Sequence, residues 1–126
     1  MSKFRYTKLQ KDWLHDLKTT RAKQGECFLK SDTGWCCLGR ALHVMRVKGE
    51  YCGVSALEFE GETQYLSEAR RGEIKLRNRL GNAKQPFMID GFSFASLSEA
   101  NDSGCTFKEI AAAIEADPEN FFTNND

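Results

Sequence analysis

The tightest constraint on this chain sits near its end. Thr106-Phe107-Lys108-Glu109 has the T-x-x-E form of a capping box, in which the Thr hydroxyl and Glu carboxylate satisfy orphan N–H groups at a helix start. Phe107, Ile110, Ala111 and Ile114 follow at i, i+3, i+4 and i+7, which predicts a helix with one apolar face. Pro118 stops it, because the residue before a proline is pushed out of the α region. A second box, Thr7-Lys8-Leu9-Gln10, opens a helix over 7–20 with Leu9, Trp13, Leu14 and Leu17 on one face. Two amphipathic helices, one toward each end, must bury their stripes against whatever lies between them.

What lies between is short and punctuated. Residues 27–29 and 35–37 flank Ser31-Asp32-Thr33-Gly34, a run of turn formers, and read as a β-hairpin. Leu38, Ala41, Leu42 and Met45 predict a helix to about Val47, with Gly49 as its left-handed terminator. Residues 56–60 alternate as a strand ending at Gly61, with 63–66 as its returning partner. A polar helix is expected over 67–80, stopped by Gly81 and weakened by Gly72. Asp90-Gly91 is a hairpin turn between the apolar residues of 87–94, and a short helix through Leu97 and Ala100 ends near 101–104. The expected fold is α+β: a single compact domain over 1–126, with short β-hairpins forming a small antiparallel sheet packed against four or five helices.

Composition agrees with one globular core. Among 126 residues there are nine Phe, two Trp and three Tyr, and the longest apolar runs are far shorter than the ~20 residues a bilayer demands. Met1-Ser2-Lys3 leads into a charged stretch with no apolar signal core, so the expected compartment is the cytoplasm. The five cysteines, Cys27, Cys36, Cys37, Cys52 and Cys105, then read as free thiols. Neither they nor His15 and His43 have the paired spacing of a zinc site, and no metal or cofactor is expected. Lys+Arg and Asp+Glu balance at 18 each, but residues 1–90 carry 17 bases and 11 acids, while 91–126 carry one base and seven acids. The neutral total is a basic body beside an acidic C-terminal block, which disfavours bulk coating of nucleic acid and keeps a small anionic ligand in play.

Three stretches could carry chemistry. Cys36 and Cys37 stand at a strand-to-helix junction, where a helix N-terminus can lower a thiol pKa, as in papain-like hydrolases. His43 lies about 9–10 Å further along that helix, at 1.5 Å per residue, and is out of reach as a base. His15 would need tertiary packing to approach, as would Gln24 in an oxyanion hole. The plainer reading is core packing of Trp35, one cysteine and Leu38. The stretch from Asn101 to Ala111 has the outline of a helix-turn-helix, but Lys108 is outnumbered there by Glu109, Glu115 and Asp117, and an acidic face repels DNA. The densest basic run is Arg70, Arg71, Lys75, Arg77, Arg79 and Lys84, which on one helix face could grip phosphate. Tyr65, Phe87 and Phe92 flank it, with Tyr65 the candidate stacking residue and the two Phe expected in the core. Residues 68–84 are also where a nucleic-acid interface would lie.

The strings Trp13-Leu14-x-x-Leu17, Gln24-Gly25-x-x-x-Leu29 and Gly34-x-Cys36-Cys37-Leu38-Gly39 resemble a pattern in small accessory proteins of tailed bacteriophages and prophages. Leu97-x-x-x-Asn101-Asp102-x-Gly104-x-x-Phe107-x-x-Ile110-Ala111-x-x-Ile114 is similar to the second half of that pattern. The resemblance spans about residues 13–114, most specifically at Cys-Cys-Leu-Gly and only loosely over 50–93. Ala100 stands where a larger aliphatic residue is common. The resemblance implies a cytoplasmic accessory protein without a catalytic activity. It would counteract a host defence by binding a host protein or sequestering a small phosphorylated or nucleotide ligand. A thiol enzyme and a nucleic-acid binder are the alternatives.

Overall fold

The computed structural model describes residues 3–51 and 55–126; Cys52 lies outside them. The fold is α+β, with five α-helices and three two-stranded antiparallel ladders among the described residues. Helix α1 (Lys8–Thr19) starts from its capping box: Thr7 Oγ1 accepts from the Gln10 N–H, and Gln10 Oε1 accepts from the Thr7 N–H. Helix α5 (Phe107–Ala116) repeats the device with Thr106 and Glu109. Their stripes meet in the core: Trp13, Leu14 and Leu17 from α1, with Phe107, Ile110, Ala111 and Ile114 from α5.

Between them the chain runs in small pieces. Strands β1 (Lys30–Ser31) and β2 (Gly34–Trp35) form the first ladder. This hairpin lies nearer its turn than 27–29 and 35–37 predict, because Cys27 has a left-handed φ of 70° and Cys36 is already the N-cap of the next helix. That helix, α2 (Cys37–Val44), contributes Leu38, Ala41 and Leu42 to the core. Its exit turns at Arg46, which takes the positive φ expected of Gly49. Gly49 is required for another reason: a Cβ there would lie 2.7 Å from the Phe59 ring.

Strands β3 (Glu50–Tyr51) and β4 (Leu57–Glu58) form the second ladder, so the partner of the predicted 56–60 strand is 50–51 and not 63–66. Leu29 instead donates its N–H to the Thr63 carbonyl at 2.7 Å. Helix α3 (Glu68–Ile74) is half the length expected for 67–80. Ile74 and Leu76 are both fully buried, and side chains two apart point to opposite sides of a helix. Lys75 resolves the conflict by turning left-handed at φ 63°, after which Leu76 bridges to Phe122.

Strands β5 (Asn82–Ile89) and β6 (Phe92–Ser96) form the third and longest ladder. Asp90 and Gly91, with φ 52° and 82°, make its two-residue turn; two successive positive φ values match the right-handed twist of the strands. Helix α4 (Leu97–Asp102) follows at once, then α5 and a 3₁₀ turn over Pro118–Asn120. That turn brings Phe121 and Phe122 into the core against Phe87 and Trp13. Among the described residues, no helix is long and apolar enough to cross a membrane.

Candidate functional site

The two halves of the sequence pattern converge on one buried side chain. Asn101, at the end of α4, is 1% exposed, and its Oδ1 accepts from the Gln24 amide at 2.8 Å and from the Cys37 N–H at 3.1 Å. Its Nδ2 donates to the Gly25 carbonyl at 2.8 Å, while Gln24 donates a second bond to the Cys105 carbonyl at 2.7 Å. Asp102 takes the Cys27 N–H at 2.9 Å. Gly39 completes the arrangement, since a Cβ on it would lie 1.9 Å from the Leu29 carbonyl oxygen. Pattern residues 64–77 positions apart thus hold one junction of α2, α4 and the Gln24–Cys27 loop. Gln24 spends both amide hydrogens within that junction.

The vicinal thiols belong to the same junction. Both are buried, whereas core packing of only one was expected. Cys36 caps α2, its Sγ accepting from the Gly39 N–H at 3.3 Å, and Cys37 Sγ donates to the Leu97 carbonyl at 3.7 Å. Burial pushes the Cys36 thiol up to about 12 despite helix N–H groups that pull it down, and it holds Cys37 well above the ordinary thiol value. Cys36 still reaches a small cavity of about 170 Å³, shared with Cys27, Gln64 and Asp102. His43 packs edge-on against the Trp35 ring at 5.4 Å, and His15 lines a shallow depression beside it. Among the described residues, the hydrogen bonds of the Cys36 and Cys37 sulfurs go to main-chain groups and not to a histidine.

The basic run is dispersed. Arg70 pairs with Glu60 and Glu73, and Arg71 with Glu68. Arg77 holds Asp126 and the Glu119 carbonyl. Arg79 pairs with Glu62, donates to the Leu66 carbonyl at 2.7 Å, and lies 4.4 Å over the Tyr65 ring. Lys75 and Lys84 are exposed and form no ion pair among the described residues, but Lys75 caps α3 while Lys84 sits on β5 beside Asp117 and Glu119. Arg79 and Tyr65 are brought into contact. The single phosphate-gripping helix face is not formed, because α3 stops at Ile74 and each arginine already meets a carboxylate.

A different place has the shape of a binding site. The β5–β6 hairpin meets the turn between α4 and α5 at a half-open cavity of about 440 Å³, lined by Ile89, Phe92 and Phe94 from the hairpin and by Ser103, Gly104 and Cys105 from the turn. Phe92 is 69% exposed, contrary to its expected core burial, and Met88 is 59% exposed. Phe92 pairs with Ile89 and shares the face that buries Phe87 and Phe94, but it lies past the edge of the core. Asp90 and Glu109 stand at the rim. The neighbouring Glu109 carboxyl, by hydrogen bonding to the protonated form and then by its charge, raises the pKa of Asp90; Glu109 is held low, first by the Thr106 N–H and then by Asp90. Burial, and then these carboxylates, push up the half-buried Cys105 thiol. In the sequence, Asp90 read as a turn residue, Glu109 as a cap and Phe92 as core, so nothing but their tertiary meeting marks the site. Among the described residues, no group of His, Cys, Asp and Glu side chains could hold a metal ion. No protein-family model matches the chain, and neither does any curated protein or solved structure.

Proposed function

We propose that this chain is a non-enzymatic binding protein that acts by stoichiometric occupation of a host protein, the partner seating on the pocket under the β5–β6 hairpin. The observation that carries this reading is the exposed Phe92 ring beside a concave wall of Ile89 and Phe94. Cavities of several hundred Å³ with apolar walls and a few polar groups are where ligands bind, and aromatic anchors dominate protein interfaces. A protein partner is favoured over a small phosphorylated ligand or nucleic acid, because the arginines of 70–79 are answered by carboxylates and the pocket rim is acidic. The resemblance to phage accessory proteins supplies the setting: interference with a host defence, in the bacterial cytoplasm.

The test is native mass spectrometry of the tagged chain purified from phage-infected bacteria, beside a Phe92→Asp variant whose circular dichroism is unchanged. The expected result is a protein complex of fixed integer stoichiometry that the variant fails to form. A co-purified nucleotide without a protein partner, or a complex indifferent to Phe92→Asp, would overturn the reading.

A further inference from the structure

The charges at the pocket rim exceed what the backbone needs. A two-residue turn with two positive φ values is served as well or better by Asn-Gly as by Asp90-Gly91. A capping box needs only a side-chain oxygen at its third position, and the first box of this chain uses the neutral Gln10 there. The second box instead uses Glu109, which lines the same cavity as Asp90. Like charges held together disfavour one another, and among the described residues neither forms an ion pair with a Lys or Arg. Phe92 and Phe94 line the same cavity, and aromatic ring faces attract cations while ring surfaces pack against methylene chains.

We propose that the pocket receives a lysine or arginine side chain of the protein partner, its stem along Phe92 and Phe94 and its charged head between Asp90 and Glu109. This rests on the binding reading above and names the chemistry of the anchor. An arginine head suits the place best, since its fork of donors can address two carboxylates at once while its plane stacks on a ring. The cation relieves the repulsion between the two carboxylates, so the unliganded rim is the less favourable state. An anionic group would meet the same rim with the opposite sign.

The probes are the capped peptides Leu-Arg-Leu and Leu-norleucine-Leu, with inorganic phosphate as the anionic control, titrated into the full-length ¹⁵N-labelled chain at neutral pH. The expected result is saturable shifts of the Gly91, Gly104 and Cys105 amides, with the arginine peptide at least about tenfold tighter than its norleucine counterpart. The double variant Asp90→Asn/Glu109→Gln, which preserves the turn and the cap, should erase that difference. Equal affinity of the two peptides overturns the cationic anchor and leaves the binding reading standing. So does silence of both peptides alongside a Phe92-dependent partner complex. Shifts at these amides with phosphate alone, or a preference that survives the double variant, also overturn the anchor. Loss of the Phe92-dependent complex itself removes both.

Discussion

Gln24 and Asn101, 77 positions apart, are joined by a 2.8 Å hydrogen bond from the Gln24 amide to the Asn101 side-chain carbonyl. The same oxygen receives the first N–H of α2 from Cys37, so one buried atom ties the Gln24 loop, α2 and α4 together. Sequence elements that resemble a phage-protein pattern are therefore neighbours in space, and their polar members serve architecture. The exposed Phe92 ring and the cavity beside it lie elsewhere, at the β5–β6 hairpin.

Removing the amide at this junction should be costly. Asn101→Ala leaves the Cys37 N–H, the Gln24 amide and the Gly25 carbonyl short of a partner in a buried place. Orphaned buried polar groups cost roughly 1–3 kcal/mol each before relaxation, so a loss of about 3 kcal/mol is expected in urea unfolding. A loss below about 0.5 kcal/mol would show that the network is incidental.

Two glycines should respond in opposite directions. Gly39→Ala drives a Cβ into the Leu29 carbonyl, both on main chain that cannot yield, and should prevent folding or cost more than about 3 kcal/mol. Gly72→Ala, inside α3 with nothing within 4 Å of the new methyl, should stabilise by about 0.5–1 kcal/mol. Comparing the two thermal midpoints with that of the native chain checks both.

The buried thiols should be chemically silent. With its pKa near 12, Cys36 is ionised to only about one part in 10⁵ at pH 7. Iodoacetamide should label the exposed Cys27 in the folded protein and reach Cys36 and Cys37 only after unfolding. Labelling of Cys36 at the rate of Cys27 would favour the thiol-enzyme alternative. The folded Cys36 value lies above the ordinary thiol value of 9.0, so its contribution is fully present below pH 9 and is lost as pH rises toward 12. Cys36→Ala should therefore flatten the alkaline fall in stability.

Asp90→Asn should raise the thermal midpoint at pH 7. The folded carboxyl is raised above its ordinary 3.8, so it favours folding below that value and loses this contribution as pH rises through the folded one. A neutral amide escapes that loss and can still donate to Glu109. The gain should shrink as the pH falls below the carboxylate range, leaving the smaller benefit of Asn in a left-handed turn. A gain equal at pH 3 and pH 7 would show that only the turn was improved.

Local order was legible in the residues wherever a feature completes itself within a few positions. Both capping boxes, the stripes of α1 and α5 and the Asp90-Gly91 turn depend on contacts no more than four residues apart, and all are present. The α+β class followed from them. The length of α3 and the pairing of β4 depended on distant demands: burial of both Ile74 and Leu76, and the arrival of β3 beside Leu57–Glu58. The arginine run was visible as charge, but its answering carboxylates at Glu60, Glu62 and Asp126 lie 10, 17 and 49 positions away. The pocket was hidden for the same reason. Asp90, Phe92 and Glu109 each had a sufficient local explanation, and only the packing of a hairpin over a helix turn brings an aromatic ring and two carboxylates to one opening.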